Sequence, residues 1–67
     1  MKIEADNKTV SFKTDAVDCM TKYNGRIKYH IKIIFNNSVT EILEYESMKN
    51  RDKEYRKSVQ YLALDDF

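Results

Sequence analysis

The nine residues from Ile27 to Phe35 constrain this chain more than any others. Ile27, Tyr29, Ile31, Ile33 and Phe35 alternate with Lys28, His30 and Lys32. A helix would scatter those apolar side chains around its circumference, whereas a strand collects them on one face. The segment therefore reads as a central β-strand with one buried face. Asn36, Asn37 and Ser38 supply turn chemistry. Val39 to Tyr45 then returns as a further strand, with Leu43 and Tyr45 toward the core. Its acidic residues Glu41, Glu44 and Glu46 would lie across from the lysines of the preceding strand.

Upstream, Ile3 and Ala5 share one face, Asp6-Asn7-Lys8 offers a turn, and Val10 and Phe12 share a face of a second strand over 9–13. Residues 15–23 support two readings. Ala16, Cys19, Met20 and Tyr23 fall at helical spacing behind a Thr14 cap. Alternatively Val17, Cys19, Thr21 and Tyr23 alternate as a strand, with a hairpin loop at Asn24-Gly25-Arg26. A registration argument favours the strand. Tyr23 then opposes Ile27, Thr21 opposes Tyr29, Cys19 opposes Ile31 and Val17 opposes Ile33, giving one mostly apolar face. The other face pairs Asp18 with Lys32 and Met20 with His30, although Lys22 opposes Lys28. At the C-terminal end, Ser47 reads as a helix N-cap. Met48, Tyr55, Val59 and Leu62, with Ala63 beside them, form an apolar stripe at helical spacing. Lys49, Lys53, Glu54 and Lys57 point outward, and the helix is expected to end before Asp65-Asp66, where its dipole disfavours acid. The expected fold is α+β: an antiparallel β-meander of four or five short strands packed against one C-terminal α-helix, in a single domain over 1–67.

A chain of 67 residues buries only roughly 60% of its unfolded surface. Cys19 is the sole cysteine, so no intrachain disulfide reinforces the core and a reducing cytoplasm suits the chain. The opening residues hold no apolar stretch of signal-peptide length, and no segment reads as a membrane span. Net charge is +1, which gives no long-range attraction to nucleic acid or an anionic membrane. The charge is uneven: residues 1–34 carry a net +3 and residues 35–67 a net −2.

Chemistry-bearing residues are scarce. One His and one Cys lack the clustered spacing of a metal site, so no metal and no cofactor is expected. In the favoured register Cys19 faces the core and His30 the outer side, which precludes a thiolate–imidazole dyad. No feature places two carboxylates in one pocket, and a single glycine cannot build a phosphate-cradling loop. The chain is expected not to be an enzyme. Contact is what remains. A basic outer face of Lys28, His30 and Lys32, with Lys22 and Arg26 nearby, would suit nucleic acid, although overall neutrality argues against it. The open edges of a small sheet can pair with a second copy, giving a homodimer or a self-assembling structural or accessory role, or with a partner strand. The five tyrosines would supply contact anchors or pack the core.

The stretch Ile31–Leu62 (IKIIFNNSVTEILEYESMKNRDKEYRKSVQYL) resembles the hairpin-then-helix segment of small proteins from phages and prophages of low-GC Gram-positive bacteria. The matching pieces are the amphipathic strand Ile31–Phe35, the turn Asn36-Asn37, the strand end Tyr45-Glu46-Ser47 and the helix opening Arg51-Asp52. The resemblance covers about half the chain. It implies a protein that binds and disables a bacterial defence or housekeeping protein by occupying a surface, as anti-CRISPR proteins and inhibitors of host DNA glycosylase or polymerase do. A CRISPR-associated nuclease in the host cytoplasm is one such target. Members of this class often mimic nucleic acid with acidic residues. Here the net charge argues against whole-protein mimicry and leaves only a local patch of Glu41, Glu44, Glu46, Asp65 and Asp66. The residues expected to contact a partner are Glu41, Glu44, Arg51 and Arg56.

Overall fold

The computed structural model describes residues 1–62. Strand β1 (Lys2–Glu4) pairs antiparallel with β2 (Thr9–Ser11), as the Asp6-Asn7-Lys8 turn predicts. A single 3-10 turn at Thr14–Ala16 leads into β3 (Val17–Asn24), so the strand reading of this segment holds and the helical one does not: Cys19, Met20 and Tyr23 all lie in the strand. Strands β3, β4 (Tyr29–Phe35) and β5 (Thr40–Tyr45) form a three-stranded antiparallel meander. Helix α1 (Met48–Leu62) closes one face. The expected α+β meander-plus-helix architecture is what the chain adopts.

The core is one cluster: Ile3, Met20, Ile31, Ile33, Leu43, Tyr45, Tyr55 and Val59. Ile31, Ile33 and Leu43 are fully buried, as alternation requires for one face of a sheet. Phe12 and Phe35 meet edge-on at 5.4 Å between ring centroids and close one end. Ser47 caps the helix, its Oγ accepting from the Asn50 N–H at 3.3 Å.

The β3–β4 register differs from the sequence expectation. Asn24 opposes Tyr29, Tyr23 opposes His30, Lys22 opposes Ile31 and Met20 opposes Ile33. The shift is odd, so every β3 side chain changes face. Met20 takes the core position assigned to Cys19, and Ile27 moves into the loop, 88% exposed. Two facts drive this. Gly25 does not adopt a positive φ, so Asn24-Gly25 does not form the primed turn that a tight loop needs. The new register also removes the Lys22–Lys28 confrontation. A bulge at Asp18, between the Val17–Phe35 and Cys19–Ile34 pairs, returns Val17 to the core side.

On β5, Glu44 opposes His30 and Glu41 opposes Ile33, so neither faces a lysine of β4. Val39 precedes the strand and is exposed. On α1, Tyr55 and Val59 are buried as expected, but Met48 is half exposed and Arg51 and Ser58 complete the buried stripe. Met48 is the first helical residue, where the stripe runs off the sheet. Ala63, Asp65 and Asp66 lie outside the described residues.

Arg51 is the unexpected core residue, 4% exposed. Its Nη1 donates to the Tyr23 carbonyl at 2.9 Å and its Nε to Asp52 at 2.7 Å, while its guanidinium lies 5.6 Å from the Tyr29 ring centroid. A buried cation survives only when paired and hydrogen-bonded in this way. Arg51→Met should cost about 2 kcal/mol, since it removes charged hydrogen bonds. Arg56→Met, on the exposed side, should change stability by less than about 0.5 kcal/mol in urea unfolding.

The Arg51 hydrogen bond, aided by the charges of Arg51 and Lys22, holds the Asp52 carboxyl below its ordinary range despite some desolvation. A depressed folded-state pKa contributes stability above the unfolded value of 3.8, lost as pH falls through the folded value. Asp52→Asn should therefore be less stable than the native chain at neutral pH, and the gap should close as acid titrates the carboxylate, read by thermal melts at successive pH values.

Candidate functional site

With the helix on one face, the other face of the meander carries no helix or strand among the described residues. It presents Cys19, Thr21 and Tyr23 from β3, His30, Lys32 and Ile34 from β4, and Thr40, Ile42 and Glu44 from β5. Cys19, Ile34 and Ile42 are half-buried, and Tyr23 is 42% exposed. The Tyr23 and His30 rings stack 4.8 Å apart with planes only 8° from parallel. Beyond them the hairpin tip carries Arg26 and the protruding Ile27. The face is therefore a mixed apolar and polar surface with an aromatic pair at one end, the composition that protein interfaces favour.

Gly25 makes the stack possible. A Cβ there would lie 2.5 Å from the His30 Cε1, so the imidazole occupies space that only glycine leaves open. The His30 Nδ1 is buried with no hydrogen-bond partner among the described residues. Gly25→Ala should push the ring off Tyr23. The His30 ring protons would lose their ring-current shift by NMR, for a stability change of about 1 kcal/mol or less, the worth of one aromatic pair.

The sequence-predicted contact residues disperse. Glu44 lies on the outer face, but its backbone is bonded to Asp6 and Asn7. Glu41 turns toward the helix side, with Lys8 at 2.9 Å. Arg51 is buried with its Nε and Nη1 engaged within the fold, which removes it from the accessible surface. Arg56 is exposed and lines a shallow groove along the solvent side of α1 with Lys49, Lys53 and Gln60. The basic face is also divided: His30 and Lys32 are outside, Lys28 sits in the loop, and Lys22 points to the helix, 3.6 Å from Asp52.

Cys19 and His30 do share the outer face, contrary to the register expected from sequence. Tyr23 pairs with His30, so Cys19 lies four residues along the strand from that pair, about 13 Å away. That separation precludes a hydrogen-bonded dyad. Among the described residues no three His, Cys, Asp or Glu side chains gather as metal ligands, and no helix is long and apolar enough to cross a membrane. The Tyr23–His30 pair escaped sequence reasoning because it depends on the register; Gly25 five residues before His30 was the available signal.

Comparison with protein families, with curated proteins and with solved structures found no match to this chain.

Proposed function

We propose that this chain is a non-catalytic binding protein of phage type that inhibits a bacterial host or defence protein in the cytoplasm by occupying one of its surfaces, an anti-CRISPR being one specific form. The supporting observation is the uncovered outer face, where Tyr23, His30, Ile34 and Ile42 stay accessible beside a complete core on the opposite side. Aromatic and aliphatic side chains gathered on one partly exposed face are what interface cores draw on. The resemblance of Ile31–Leu62 to small phage inhibitors points the same way. A nucleic-acid reading draws less support, because Lys22 and Lys28 do not join Lys32 on this face.

The test is functional. The chain is expressed in a Gram-positive host with active CRISPR immunity, and phage survival is scored alongside the activity of the protein that the purified chain captures. Relief of immunity, or loss of the captured protein's activity, is the expected result. A Tyr23→Ala/Ile42→Ser variant should bind at least about tenfold more weakly, as truncation of interface anchors does, and Lys49→Ala should bind as before. A chain that captures no bacterial protein at micromolar concentration and relieves no defence overturns the reading.

A further inference from the structure

The two edges of the meander are treated differently. The Gly25 N–H donates to the Lys28 carbonyl at 2.7 Å, which fixes the phase of the β3–β4 ladder. Antiparallel pairs alternate between bonded and non-bonded. Tyr23–His30 and Thr21–Lys32 are then bonded pairs, and Met20, Lys22 and Asn24 aim their N–H and C=O groups away from β4. Of these only the Met20 carbonyl has a partner among the described residues, the Tyr55 hydroxyl at 3.4 Å.

The same alternation on β5 turns Ile42 and Glu44 outward, and there the Ile42 carbonyl and both backbone groups of Glu44 are covered. Asn7 receives the Glu44 N–H at 2.9 Å and donates to the Ile42 carbonyl at 3.2 Å. The Asp6 N–H donates to the Glu44 carbonyl at 3.0 Å, and the Asp6 carboxylate accepts from the Glu46 N–H at 2.7 Å. One edge is clasped by the β1–β2 turn; the other, apart from the Met20 carbonyl, presents backbone with no partner among the described residues. Natural sheets guard such edges with charges, yet Lys22 does not guard this one. Its ammonium lies 5.2 Å from the Tyr55 ring centroid, drawn onto the helix.

We propose that the free edge of β3 pairs antiparallel with β3 of a second copy about a two-fold axis at Thr21, joining two meanders into a six-stranded sheet. The edge is self-complementary in this register. Met20 of each copy meets Lys22 of the other at the hydrogen-bonded positions, where the Met20 N–H and both Lys22 backbone groups gain partners and the Met20 carbonyl accepts a second bond beside that from Tyr55. Thr21 meets Thr21 on the axis, and Cys19 meets Tyr23 on the outer face. Lys22 avoids its own counterpart, and the net charge of +1 leaves little repulsion between copies. The bulge at Asp18 stands outside this straight segment. The dimer would double the outer face without covering it.

Self-association is measured on the purified chain alone, so its outcome is separate from that of inhibition. Sedimentation equilibrium from about 10 μM to about 1 mM should show a monomer–dimer equilibrium. Thr21 partners occupy a non-bonded site with Cα atoms about 4.5 Å apart, within disulfide reach, whereas the two Cys19 residues stand about 13 Å apart. Under mild oxidation a Cys19→Ser/Thr21→Cys variant should therefore form a covalent dimer and the native chain should not. Lys22→Pro removes an outward N–H and should weaken association at least about tenfold. A monomer throughout the range overturns the proposal, as does a dimer that crosslinks through Cys19 and not through Thr21→Cys.

Discussion

Strand β4 is bonded along both edges and buried on one face, and that double commitment governs the molecule. Ile31 and Ile33 can occupy only the helix side, so β3 and β5 must fall into registers that bring their own apolar residues alongside. On β5 this selects Leu43 and Tyr45. On β3 it selects Met20, a flexible side chain that fills irregular space, over the smaller Cys19. The outer face is then composed of whatever the core does not require, which is why aromatic, aliphatic and charged residues mingle there.

Arg51 ties the helix to the sheet at the β3–β4 hairpin end. Its bonds to the Tyr23 and His30 carbonyls and its position by the Tyr29 ring join α1 to the β3–β4 hairpin, while the neighbouring Asp52 balances its charge. Lys22 completes the arrangement from the strand side through Asp52 and Tyr55. A domain of this size holds few apolar contacts to spare, and a buried, hydrogen-bonded cation provides directional bonds beside the aliphatic packing. The burial of the Tyr45 phenol, whose hydroxyl donates to the Glu4 carbonyl at 3.0 Å, plays a similar part for the β1–β2 hairpin.

Strong periodicity was legible and register was not. The nine residues around β4, the Asn36–Ser38 turn, the Ser47 cap and the Tyr55–Val59 stripe all declare themselves in sequence because each depends on neighbours within a few positions. The β3–β4 pairing depends on the φ of one glycine and on a bulge at Asp18, neither of which leaves a pattern. Once the register moves by an odd number, Ile27, Cys19, Met20 and Lys22 change environment together. Arg51 was hidden for a related reason: an arginine in a polar stretch gives no sign that a carbonyl 28 positions earlier will receive it. The candidate face inherits these errors. His30 and Lys32 were placed correctly, because they alternate with buried β4 residues, while Tyr23 was not.

The clasp at Asp6 and Asn7 has a consequence for assembly. A sheet with one vacant border can acquire a single neighbour and then stops growing, whereas a sheet with two can add neighbours indefinitely into fibres. By holding the 42–46 stretch of the β5 border, Asp6 and Asn7 would confine strand addition to the β3 side. Their bonds span more than thirty positions of sequence, so the seal closes only when the last strand has been made.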